Sequence, residues 1–83
     1  MTVYLVYEYD YEVGGVGVPH VHLDKDKAWK DYSVLSDLAS ALSSNVEQDP
    51  REIFESKGHA KTLILDGGKI VAGIEVVRQE IAA

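Results

Sequence analysis

Cysteine is absent from the 83-residue chain. That excludes a disulfide scaffold, a thiolate metal site and a cysteine nucleophile. No apolar run approaches the ~20 residues of a membrane-spanning helix, and the acidic, tyrosine-rich N-terminus is not a signal peptide. A cytoplasmic protein with no membrane partner is therefore expected. Basic residues are scarce: 8 lysines and arginines stand against 14 aspartates and glutamates, for a net charge of −6. Direct binding to a phosphate backbone is not expected of such a chain. The scarcity is uneven. Residues 1–24 contain no lysine or arginine, so Glu8, Asp10, Glu12 and Asp24 give this stretch a charge of −4.

What is present has globular character. Apolar residues make up 46% of the chain and charged ones 27%, a balance that argues against disorder. At 9.1 kDa the chain is expected to form a single α+β domain over residues 1–83. Surface scaling allows it roughly 4,900 Å² of accessible surface when folded.

The clearest local pattern is Val3-Tyr4-Leu5-Val6-Tyr7-Glu8-Tyr9-Asp10-Tyr11-Glu12-Val13. Strand-favouring residues dominate it, and from Tyr7 onward tyrosine and carboxylate alternate. One face of the strand then carries Val3, Leu5, Tyr7, Tyr9 and Tyr11, which should pack on something. The other carries Tyr4, Val6, Glu8, Asp10 and Glu12, with its acidic end in water. Gly14-Gly15 suits a tight hairpin turn, and Val16 to Leu23 reads as the returning strand. Pro19 places that strand at an edge. A two-residue loop would set Val13 opposite Val16, Tyr11 opposite Val18, Tyr9 opposite His20 and Tyr7 opposite His22; a three-residue loop would turn the second strand over.

Asp24 is suited to cap a helix that runs to Ser44. Ala28, Tyr32, Leu35, Ala39 and Leu42 form its apolar stripe, broadened by Leu38, while Ser33 and Ser36 weaken the middle enough to allow a bend or break near Ser33. Asn45 would end it in the left-handed conformation. Asp49, Pro50 and Glu52 resemble a capping box for a second, shorter helix that buries Ile53 and Phe54 and stops at Gly58. Lys61–Asp66, the turn Gly67-Gly68 and Lys69–Arg78 form a second hairpin. The order is ββααββ. It predicts a four-stranded, mainly antiparallel sheet built from two hairpins, with the helices on one face.

Three clusters invite a functional reading. Glu8, Asp10 and Glu12 would project from one strand face every ~6.8 Å, twice the rise per residue. Carboxylates so spaced can stand in for nucleic-acid phosphates against a basic groove, with Tyr9 and Tyr11 adding rigid contact area. Against this stands a solvated acidic face that discourages edge pairing. His20 and His22 share a strand face and, with Asp24, form a set acceptable to zinc, unless Asp24 only caps the helix. His59, after Gly58, has no nucleophile fixed beside it and reads as a loop histidine. Gly14-Gly15-Val16-Gly17 lacks the context of a phosphate loop. The run Ile70–Val77 is apolar on both faces, as befits a central strand or one with a face covered by a second copy, so a homodimer is also expected.

The opening Val-Tyr-Leu-Val-Tyr-Glu-Tyr, the glycine turn, and a strand leading into Leu23-Asp24-Lys25-Asp26-Lys27-Ala28-Trp29 resemble small acidic accessory proteins of bacteriophages and mobile elements. The resemblance spans about half the chain and implies an accessory factor that binds, and inhibits or modulates, a host or defence protein. The expected function is thus a protein-binding module using Glu8, Asp10, Glu12, Tyr9 and Tyr11, without catalytic residues, metal or cofactor. Its expected partner is a basic nucleic-acid-binding protein. The alternatives are a metal- or ligand-binding domain built on His20, His22 and Asp24, or a structural homodimer with no inhibitory role.

Overall fold

The structure, a computed structural model, describes residues 1–43 and 45–82. It is α+β with a predominantly antiparallel sheet and two helices, as the patterning predicts, but the sheet has six strands rather than four. In chain order the elements are β1 (Thr2–Asp10), β2 (Gly15–Val16), β3 (His20–His22), α1 (Lys25–Leu42), β4 (Val46–Gln48), α2 (Arg51–Lys57), β5 (His59–Asp66) and β6 (Lys69–Glu80). The sheet order is β2-β1-β6-β5-β4, and β3 also pairs with β1 on the edge that β2 occupies. Every pairing is antiparallel. β6 lies at the centre, consistent with its apolar residues on both faces.

The first hairpin departs from the expected register. β1 stops at Asp10 because the Asp10 carboxylate accepts the backbone N–H groups of Glu12 and Val13, at 2.8 and 3.2 Å, and folds residues 11–14 into a turn. Gly14 closes that turn at a φ of 72°. The returning segment is broken in two: Gly17-Val18-Pro19 carries no strand, since Pro19 has no N–H to donate. Tyr9 then faces Val16, Val6 faces His20 and Tyr4 faces His22. The longer turn puts the histidines on the face opposite Tyr7 and Tyr9.

The link between the helices also differs. α1 is capped as expected, with Asp24 Oδ1 accepting from the N–H groups of Asp26 and Lys27. It ends at Leu42, and its cap Ser43 is extended. Ser44, the expected last helical residue, lies outside the described residues, as does Ala83. Asn45 is not the helix cap, which is Ser43; its carbonyl accepts from Leu65 N–H at 2.9 Å and leads into β4, a strand the sequence pattern did not announce. Asp49 does not cap α2. Its backbone pairs with Lys61 and its carboxylate accepts Lys61 N–H, so the ladder of β4 and β5 claims the residue and Pro50 takes the cap position. Gly58 ends α2 in the left-handed conformation, at a φ of 76°.

Both helices cover one face of the sheet. The core there consists of Val6, Ala28, Tyr32, Phe54, Ala60, Ile74 and Val76. Trp29 stacks on Phe54 with ring centroids 5.6 Å apart, and the Arg51 guanidinium lies 5.9 Å from its ring. Arg51 also bonds Asp26 and Glu55, while Lys25 reaches Glu55 at 2.9 Å, so ion pairs join the starts of the two helices. Between α1 and β5 the core is polar. Buried Thr62 hydrogen-bonds the Ser36 hydroxyl at 2.7 Å and the Tyr32 hydroxyl at 2.8 Å. Burial raises the Tyr32 phenol above its ordinary value even though these hydroxyls oppose the shift.

Candidate functional site

The apolar stripe of α1 is only partly used by the core. Ala28, Tyr32 and Ser36 are buried, whereas Leu38 is 56% and Leu42 is 89% exposed. These leucines belong instead to a groove of about 660 Å³ between the C-terminal half of α1 and the sheet. Leu35, Leu38, Ala39 and Leu42 line it from the helix, and Ile64, Ala72 and Ile74 from the sheet. Val13, Gly15 and Val16 of the first hairpin close one end, beside Glu8 and Asp10. The groove is thus apolar inside and acidic at one rim.

The acidic row is shorter than the alternation implies. Glu8 and Asp10 share the helix-side face of β1 with Val6, which brings both to the groove. Glu12 lies in the turn after β1 and does not continue the row, because Asp10 has already ended the strand. Tyr9 and Tyr11 are near each other, ring centroids 5.2 Å apart. Tyr9 belongs to the sheet face that no helix covers, with Val3, Leu5 and Tyr7. The tyrosine face, expected to pack on something, is the helix-free one, and the core forms on the side of Tyr4 and Val6.

On that open face Tyr7 donates to Glu75 Oε2 at 2.5 Å. Burial, the bond to Glu75 and the charge of Glu75 together push the Tyr7 phenol up to about 12. Tyr9 is also raised, first by burial and then by neighbouring Tyr11 and Glu75. Its ring occupies the space above Gly73 on the facing strand: a Cβ at Gly73 would lie 2.2 Å from the Tyr9 hydroxyl.

The histidine pair finds a different carboxylate from the one expected. His20 Nδ1 and His22 Nε2 approach the same oxygen, Asp31 Oδ2, at 2.9 and 2.8 Å. Asp24 is occupied with the helix cap, so the His20, His22 and Asp24 set does not assemble. Burial pushes the Asp31 carboxyl up, but the hydrogen bonds from His22 and His20 outweigh it and hold Asp31 below the usual carboxylate value. Among the described residues, no group of three or more histidine, aspartate or glutamate side chains is arranged to hold a metal ion. His59 opens β5 rather than sitting in a loop, and its Nδ1 is buried without a hydrogen-bond partner.

Sequence reasoning missed the groove and Asp31. Helical spacing puts Leu38 and Leu42 in the apolar stripe of α1 but does not say how far a sheet extends beneath a helix. Asp31 lies seven residues after the cap, two turns along the helix, a spacing that puts it on the face of Asp24 and Ala28. Comparison with protein-family models, with curated proteins and with solved structures found no match.

Proposed function

We propose that this chain is a non-enzymatic protein-binding module that takes a basic, amphipathic segment of another protein into the groove beneath α1. The observation that carries the reading is the pairing of an apolar lining with Glu8 and Asp10 at the rim. Leucine-like side chains would gain by leaving water for the groove, while lysine or arginine would meet the carboxylates. A nucleic-acid-binding protein offers such basic surfaces, and occupying one would inhibit it in the manner of the phage accessory factors the sequence resembles. The module would act in the cytoplasm. No helix among the described residues is long and apolar enough to cross a membrane.

The test is fluorescence anisotropy with labelled peptides of alternating leucine and arginine, against glutamate-containing counterparts, at 50 and 500 mM salt. Binding of the basic peptides alone, weakening as salt rises, is expected. Glu8→Gln with Asp10→Asn should weaken it while leaving an acceptor for the turn N–H groups. Leu38→Asp, at an exposed position, should weaken it tenfold or more. Equal binding of acidic and basic peptides, or indifference to Leu38→Asp, would overturn the proposal.

A further inference from the structure

The sheet has a second surface, which the groove touches only at Tyr9 and Gly73. Both helices lie on one side, so Leu5, Tyr7 and Tyr9 of β1, Leu63 of β5 and Val71 and Val77 of β6 remain half-buried on the other, shielded only by their neighbours in the sheet. Val21, opposite Leu5, is 62% exposed at the edge of the same face. We propose that this helix-free face is a homodimer interface, on which a second copy of the chain docks face to face about a twofold axis.

Three observations select a second copy as the occupant. The first is area. The accessible surface is 5392 Å², roughly 500 Å² more than a monomer of this mass ordinarily exposes. Removing that excess from each of two copies hides roughly 1,000 Å² in all, the lower bound for a specific association.

The second is charge. Glu75 and Lys61 are register partners on this face, and Tyr7 is the partner of Glu75 on its other side. This pair is balanced, although the chain as a whole carries −6, and the further carboxylates of the face, Glu47 opposite Leu63 and Asp49 against Lys61, stand at its β4 edge. A surface that carries the same plus-and-minus pair is complementary to it.

The third is pairing. Glu75 accepts from Tyr7, and Lys61, exposed beside it, makes no ion pair among the described residues. A twofold axis passing between β5 and β6 at this row sets Lys61 of each copy over Glu75 of the other, the self-complementary arrangement that closed dimers require. Tyr7 and Tyr9 supply the aromatic area that interface centres favour.

Sedimentation equilibrium between 5 and 500 µM tests the proposal. A mass rising towards twice 9.1 kDa is expected. Lys61→Glu and Glu75→Lys, each confirmed as folded by circular dichroism, should be monomeric when alone. Mixed in equal amounts they should associate, because every contact across the axis then joins opposite charges. Should either variant fail to fold, Leu63→Lys in the wild-type background replaces it, with loss of the dimer expected. A wild-type monomer at 500 µM would overturn the proposal. So would a dimer that ignores Lys61→Glu but is broken by Leu38→Asp, since that dimer would join through the groove. Peptide binding is read separately, so the failure of either reading is distinguishable from the failure of the other.

Discussion

Replacing Thr62 by valine tests whether the buried hydroxyl cluster holds α1 in place. Thr62 has no exposed surface, and its hydroxyl is the hub between Ser36 at 2.7 Å and Tyr32 at 2.8 Å. Valine keeps the shape and removes both bonds, leaving the Ser36 and Tyr32 oxygens without this shared partner. Leaving a buried polar group unsatisfied costs about 1–3 kcal/mol, so a loss of about 2 kcal/mol is expected. Unfolding entropy of about 2.1 cal/mol/K per residue gives this chain about 170 cal/mol/K, and the loss becomes a fall of about 12 °C in Tm. The assay is thermal unfolding by circular dichroism, repeated for Ser36→Ala with Thr62→Val and for that pair combined with Tyr32→Phe. Costs should shrink as the cluster is emptied, because each further deletion removes an orphaned oxygen whose bond to Thr62 is already gone. The same cluster sits one turn before Ala39, where the helix wall of the groove continues, so Thr62→Val should also weaken peptide binding. A Thr62→Val shift under about 3 °C, or costs that simply add, would refute the reasoning.

The remaining predictions concern titration and the open face. Asp31 is held below its ordinary value, so its stabilising contribution is complete above the unfolded carboxyl value of about 3.9 and is lost as pH falls through the lower folded value. Urea midpoints of wild type and Asp31→Asn should therefore converge on acidification; a constant gap would count against the shared-carboxylate geometry. Tyr7 has the opposite sign: the contribution linked to its neutral phenol persists below about pH 10 and is lost as pH rises through about 12. Absorbance at 295 nm should show this late ionisation, displaced to lower pH in Glu75→Gln. Gly73→Ala should drive the Tyr9 ring from its place and cost about 1–3 kcal/mol, the range for overpacking, and cost less when Tyr9 is leucine. Equal costs in the two backgrounds would show that Tyr9 is not what Gly73 accommodates.

Strong local chemistry was legible in the sequence, while competition between distant groups was not. Asp24 caps α1, Gly58 ends α2 and Gly67-Gly68 turns the second hairpin, because each outcome depends on residues within a turn of the signal. Asp10 shows where that logic stops. Its place in a tyrosine–carboxylate alternation predicts strand, yet the same carboxylate makes a turn by binding the N–H groups that follow it. Asp49 carries a capping signal, but the Lys61 backbone offers it a ladder from 12 residues away. Which face of β1 meets the core was equally hidden, since Val3 and Val6, on opposite faces, are both buried. Among the proposed contact residues, Glu8, Tyr9 and Asp10 reach the groove, with the Tyr9 ring lying over Gly73, and Glu12 remains in the turn.

The groove and the open face have one physical origin. A chain of this size supplies two helices, and α2 is only seven residues long. Such a layer covers the centre of one sheet face and leaves both the far end of α1 and much of the second face with apolar side chains near water. Their placement on opposite sides of the sheet means that a copy docked on the open face does not obstruct the groove. A face-to-face dimer would carry two acid-rimmed grooves on its outer surfaces. Two grooves on one body favour a partner that repeats its basic segment, because the second contact then forms at a high effective concentration. Groove binding can consequently be weak per site and still yield a durable complex, provided that the sheet faces stay joined.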